Sequence, residues 1–173
     1  MSAKRTPRLL VVDDDPGVIA AYRLVLEKSS DRRAVPSMFG LDALQSELFG
    51  TQPAEEPEWR VTFLDQGLDA VNAVKWAIDD ADPFTAVFLD VRMPPGIDGY
   101  ETAERIRKID PHVHIVIVTG FSDYTVEEFL QVAGPASHLT YMQKPVWPDQ
   151  LKKVARSLTA ERAATRKAPP VAA

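Results

Sequence analysis

The sequence predicts an α/β protein, a parallel sheet with helices on both faces. Three observations lead there. Short apolar runs recur at Leu9–Val12, Arg60–Leu64, Phe84–Asp90, Val113–Val118 and Leu139–Gln143. The most apolar of them show no polar/apolar alternation, which fits strands buried on both faces. Helical stretches separate them, so each strand rejoins the sheet through a right-handed crossover. Polar residues close four of the runs: Asp13 and Asp14, then Asp90, Thr119, and Lys144 followed by Pro145. In an open parallel sheet the carboxyl ends of the strands meet at one edge, where ligands bind. Three carboxylates, a hydroxyl and an ammonium then converge, a set suited to a divalent cation and a phosphoryl group.

Each element has a local reason. Asp15 caps the first helix and Pro16 enters its first turn. Ile19, Tyr22, Val25 and Leu26 form its apolar stripe, and Ser29-Ser30 ends it. Leu68 to Ile78 reads as a helix with Ala70, Val74, Ala77 and Ile78 inward. Met93-Pro94-Pro95-Gly96 must be loop. Asp98 and Glu101 have capping-box spacing and open a helix to about Ile109, with Ala103, Ile106 and Ile109 inward. Asp110-Pro111 breaks it. A short helix, Val126 to Val132, stops at Gly134-Pro135. Pro148 opens the last helix through Leu151, Val154, Ala155 and Leu158. The stretch from about Thr159 to Ala173 reads as a tail that extends the last helix briefly and then frays.

Bulk properties exclude several classes. With 173 residues the chain is long enough for one domain with a full core. A net charge of −5 argues against a nucleic-acid binder, which usually carries a basic patch. The absence of cysteine excludes disulfides and thiol catalysis and suits a reducing cytosol. The basic N-terminus lacks the apolar stretch of a signal peptide, and no run is long enough to span a membrane.

The pieces Val11-Val12-Asp13-Asp14-Asp15-Pro16, Phe88-Leu89-Asp90-Val91-Arg92-Met93-Pro94, Val118-Thr119-Gly120 and Tyr141-Met142-Gln143-Lys144-Pro145 resemble the receiver domain of two-component response regulators. The resemblance covers about residues 7–158 apart from one inserted segment, about 29–58, and leaves 159–173 as a flexible tail. It implies a flavodoxin-like doubly wound sheet in the order 2-1-3-4-5. It implies Asp90 as phosphoacceptor, with Asp13, Asp14, Asp90 and the backbone carbonyl of Arg92 around Mg2+. Thr119 and Lys144 would bind the phosphoryl group, Thr119 and Tyr141 would carry the switch, and the bond before Pro145 would be cis. The implied donor is a histidine kinase or histidine phosphotransfer protein, and the output is an unknown phospho-dependent partner. Such a chain is no enzyme in the ordinary sense: it promotes only its own phosphorylation and dephosphorylation. A cytoplasmic, bacterial, single-domain regulator is expected.

Bland readings stand beside each role. Three successive acids need only one to cap a helix, but alone Asp90 is a loop acid, Thr119 a strand-end hydroxyl and Lys144 a surface charge. Tyr141 is equally well a packing residue. His112, His114 and His138 share no pattern with carboxylates and read as strand-end and surface residues. Two departures from the family stand out. The loop from Met93 to Gly99 is one residue longer than usual. The shortened helix before Gly134-Pro135 puts a standard dimer in doubt, so a homodimer stays open. The inserted segment has apolar residues at helical spacing from Met38 to Phe49, read as a helix packed on its own domain or as a docking surface. Rival readings are a pseudo-receiver scaffold, a receiver fragment of a larger sensor kinase or cyclase protein, and a magnesium-dependent phosphatase of the dehalogenase-like class. The last would want an aspartate where Arg92 stands. The Met1 start and the tail suit a complete small protein.

Overall fold

The computed structural model describes residues 6–27, 59–120 and 124–165. The inserted segment, with its expected helix, lies outside the described residues. Along the described chain the elements are β1 (Arg8–Val12), α1 (Pro16–Glu27), β2 (Arg60–Leu64), α2 (Gly67–Asp79), β3 (Ala86–Asp90), α3 (Gly99–Ile109) and β4 (His114–Thr119). Then follow α4 (Val126–Ala133), a 3-10 turn (Ala136–His138), β5 (Leu139–Gln143) and α5 (Pro148–Thr165). The strands form one five-stranded sheet in the order β2-β1-β3-β4-β5, with every pairing parallel. This is the flavodoxin-like order, and its direction reverses between β1 and β3.

Each strand sends alternate residues to opposite cores. Leu10, Val12, Val87, Leu89, Ile115 and Ile117 join one cluster with Ala70, Val74, Ala103, Ile106 and Phe129 of α2, α3 and α4. Leu9, Val11, Phe88, Val116 and Val118 join the other with Tyr22 and Leu26 of α1 and Leu151 and Ala155 of α5. Both faces are therefore apolar, which is why these runs do not alternate in sequence. A fully buried Leu or Phe here is worth roughly 1.5–3 kcal/mol relative to exposure.

Caps and ends follow local chemistry. Asp15 Oδ1 accepts from the backbone N–H of Gly17 at 2.7 Å and Pro16 begins the helix. The Asp98 side chain accepts from Glu101 N at 2.9 Å, while the Glu101 side chain pairs with Arg105 along the helix. The reciprocal capping box is instead at α4, where Thr125 and Glu128 each bond the other's backbone. After α2, Ala81 takes the left-handed conformation (φ 54°), closing a Schellman turn through Asp82 N–H to Ala77 O at 2.9 Å. The buried indole of Trp59 donates to Leu26 O at 3.1 Å, tying the end of α1 to the start of β2.

One sequence expectation is corrected. Ile78 is 39% exposed rather than inward, because it occupies the last turn of α2, where the chain leaves the core through Ala81. The last helix extends past Leu158 to Thr165. Thr159 is buried, with its hydroxyl bonded to Ala155 O at 2.9 Å, and the residues after it are mostly good helix formers.

Candidate functional site

The register of the sheet assembles the acids. Val12 pairs with Leu89, so Asp13, the next residue, stands beside Asp90 at the point where the strand order reverses. Asp90 pairs with Val118, and Thr119 with Gln143, which brings Thr119 and Lys144 to the same edge. The Lys144 N–H donates to Thr119 O at 2.9 Å, and the Lys144–Pro145 peptide is cis.

Lys144 Nζ bridges the two buried carboxylates, 2.7 Å from Asp13 Oδ2 and 2.9 Å from Asp90 Oδ1. The other oxygens are also held: Asp13 Oδ1 accepts from Asp15 N at 3.1 Å, and Asp90 Oδ2 from Arg92 N at 3.2 Å. Asp14 is exposed. Asp13, Asp14 and Asp90 can each present an oxygen within 4.8 Å of the others'. Close behind the loop, the Gly99 backbone seats against the Asp90 carbonyl. A side chain there would come within 2.7 Å of Val91 Cα, so glycine is required.

Electrostatics reinforce the geometry. Burial pushes the Asp13 carboxyl above its ordinary value, more than the Lys144 ammonium lowers it. Burial pulls the Lys144 ammonium down, but the two carboxylates outweigh burial and leave it above its ordinary value. Burial, then Asp13 and Asp90, raise the hydroxyl of buried Tyr22 beneath the site. The cluster holds more negative than positive charge and favours an added proton or cation. Oxygen-only donors with one exposed member fit a small hard cation that keeps several waters. Arg92 contributes its backbone at this site, while its side chain is exposed.

Tyr141 is half-buried on β5, its ring edge-on to Phe129 at 5.8 Å. Burial, then Glu127, push its hydroxyl up to about 12, and it donates weakly to Val126 O at 3.4 Å. Two features escaped the sequence. Asp65 closes β2 and lines the groove beside Asp13 and Asp14, outside the acid cluster; an acid at the end of another apolar run was the available signal. The three histidines come together at the opposite end of the sheet, with His138 rings 6.5 Å from His112 and 6.4 Å from His114. The β4–β5 register that pairs Thr119 with Gln143 also puts His114 beside His138.

A doubly wound α/β fold with an acidic cluster at its switch point and a lysine across it has its candidate ligand site at that edge of the sheet. A family model of the response regulator receiver domain matches residues 42–156, and the chain belongs to that family. The match starts after β1, so the place of Asp13 and Asp14 comes from the sheet. The cyclic di-GMP phosphodiesterase response regulator RpfG of Xanthomonas campestris pv. campestris (strain 8004) is 33% identical over 86 residues, 49% of this chain and 21% of that protein. The response regulator receiver protein CpdR of Brucella abortus (strain 2308) is 32% identical over 74 residues, 43% of this chain and 57% of that protein. The matches thus span about a fifth of one relative and just over half of the other. Among solved structures, a CheY-like receiver domain protein from Methanospirillum hungatei JF-1 superposes with TM-score 0.61 at 20% identity, covering 92% of this chain and 99% of that one. The signal receiver domain of an HD domain-containing protein from Pseudomonas fluorescens Pf-5 does so with TM-score 0.65 at 15% identity, covering 98% of each. These two likenesses speak for the fold alone. Among the described residues no helix is long and apolar enough to cross a membrane.

Proposed function

We propose that this chain is a phosphorylation-operated response regulator in which Asp90 accepts a phosphoryl group from a histidine kinase or histidine phosphotransfer protein. The observation that carries this reading is the Lys144 bridge between Asp13 and Asp90, with Asp14 at hand, at the reversal point of the sheet. In the transfer step an Asp90 carboxylate oxygen attacks phosphorus. The P–O bond forms as the P–N bond to the donor imidazole breaks, and the departing nitrogen keeps the bonding pair and takes up a proton. Asp13, Asp14, Asp90 and the backbone carbonyl of Arg92 would hold Mg2+, which when bound supplies positive charge against the phosphoryl oxygens. Lys144 supplies a second, mobile positive charge. The Arg92 N–H orients the Asp90 carboxylate.

Modification replaces one carboxylate with a group of greater charge. Lys144 and the Thr119 hydroxyl then turn to the phosphoryl oxygens, and the surface around Tyr141 changes for an output partner. On this reading the receiver domain works in the cytoplasm as a switch that acts through a partner. A second reading, a receiver module of a larger signalling protein, is favoured by the 21% share of RpfG that the match covers. The site chemistry is the same in both.

Intact-mass spectrometry after treatment with acetyl phosphate and Mg2+ tests the proposal, with Asp90→Ala in parallel. One phosphoryl group gained by the parent alone is the expected result. No gain in a folded, Mg2+-binding parent would favour the pseudo-receiver scaffold.

A further inference from the structure

Asp98 and Tyr124 join the two loops on either side of the site. Asp98 caps α3 with one carboxylate oxygen and accepts a hydrogen bond from the Tyr124 hydroxyl with the other, at 2.8 Å. Its neighbour Gly99 bonds Val91 O at 2.8 Å and packs on the backbone of Asp90. Asp98 is therefore fixed to the end of β3. Tyr124 lies just beyond Thr119, on the connection from β4 to α4. Its ring stacks on Tyr100 at 4.3 Å and 16° and meets Phe129 edge-on at 5.9 Å. Phe129 is fully buried and touches Tyr141 as well as Tyr100. One hydrogen bond and four rings thus tie the start of α4 to the loop after the phosphoacceptor.

We propose that the Tyr124–Asp98 hydrogen bond is a latch that holds the unmodified state and opposes phosphorylation of Asp90. The inference rests on the phosphoacceptor reading above. If modification draws Thr119 toward Asp90, the chain that follows must shift relative to α3. A hydroxyl-to-carboxylate bond is a strong one, and it resists that shift. A contact made better in one state moves the equilibrium toward that state. Tyr124→Phe keeps the ring stack and deletes the bond. Asp98→Asn keeps a good helix cap and weakens the acceptor.

The test is the rate of phosphoryl uptake from acetyl phosphate with Mg2+, followed by intact mass, in the parent, Tyr124→Phe and Asp98→Asn. Hydrogen exchange of the peptide spanning α4 is measured on the same unmodified proteins. Both variants should take up the group about fivefold faster, at the low end of known coupling effects, with faster exchange at the start of α4. Uptake in all three at the parent rate, or slower in Tyr124→Phe, overturns the latch and leaves the phosphoacceptor reading standing. No uptake even in the parent overturns that reading and the latch with it.

Discussion

At the carboxyl ends of the strands, the carboxylates of Asp13, Asp14 and Asp90 lie together, and one ammonium, Lys144, pairs with Asp13 and Asp90. At the amino ends, cations meet their acceptors. Arg107 of α3 donates to four carbonyls: Ala133 O at 3.0 Å, Asp110 O at 3.1 Å, Val113 O at 2.7 Å and His138 O at 3.2 Å. His114 Nε2 shares a 2.8 Å hydrogen bond with Thr140 Oγ1. Arg8 and Arg60 both pair with Asp82. One end of the sheet spends its polar groups on holding the chain together. The other gathers like charge that only a proton, a cation or a ligand relieves. The difference separates residues that hold the chain together from residues with charge to spare for a ligand, and functional groups commonly sit where stability is given up.

The contrast can be broken first at Arg107. Its guanidinium gathers α3, the start of β4, the end of α4 and the 3-10 turn, and no other side chain offers donors in that spread. Arg107→Ala should lower unfolding free energy by about 3 kcal/mol, since the carbonyls lose charge-assisted bonds. Arg107→Lys should recover less than half. Urea unfolding measures both, and a parent-like midpoint in the alanine variant would mean that water satisfies those carbonyls equally well.

The next largest effect is a pH dependence from the same end. Burial, then His138, with Arg107 adding, lowers the His114 imidazole to about 4 against its ordinary 6.5, while Glu161 acts the other way. The unfolded chain therefore binds a proton between those values that the folded chain refuses. Stability is complete above 6.5 and falls as the pH drops toward 4, by about 2–3 kcal/mol for this group. His114→Gln should flatten the slope over that window; an unchanged slope would place the acid sensitivity elsewhere.

The smallest effect has the opposite sign and sits at the site. Asp13→Asn removes a buried carboxylate whose charged form burial disfavours, so without metal the variant should be slightly more stable than the parent at neutral pH. It should also lose any response to Mg2+, expected in the parent to be about 1.4 kcal/mol at a tenfold excess over Kd if the proposed site binds the ion. Thermal unfolding with and without Mg2+ reads both. A destabilised variant would show that the Lys144 pair, rather than the buried charge, dominates at Asp13.

The sequence alone determined the sheet, its strand-end residues and the class of site. Strands buried on both faces must be continuously apolar, so a polar terminator such as Asp90 or Thr119 is conspicuous. The helix caps at Asp15 and Asp98 were legible because capping is local. The capping box at Thr125 and Glu128 is equally local in its spacing. What only the tertiary structure decided depends on pairing between distant strands and helices. The β4–β5 register brought His114 to His138, helix packing aimed Arg107 at four carbonyls, and the turn at Ala81 carried Ile78 out of the core. The Tyr124–Asp98 bond belongs to the same group. Periodicity reports which face of an element is apolar, and it carries no information about which partner that face will meet.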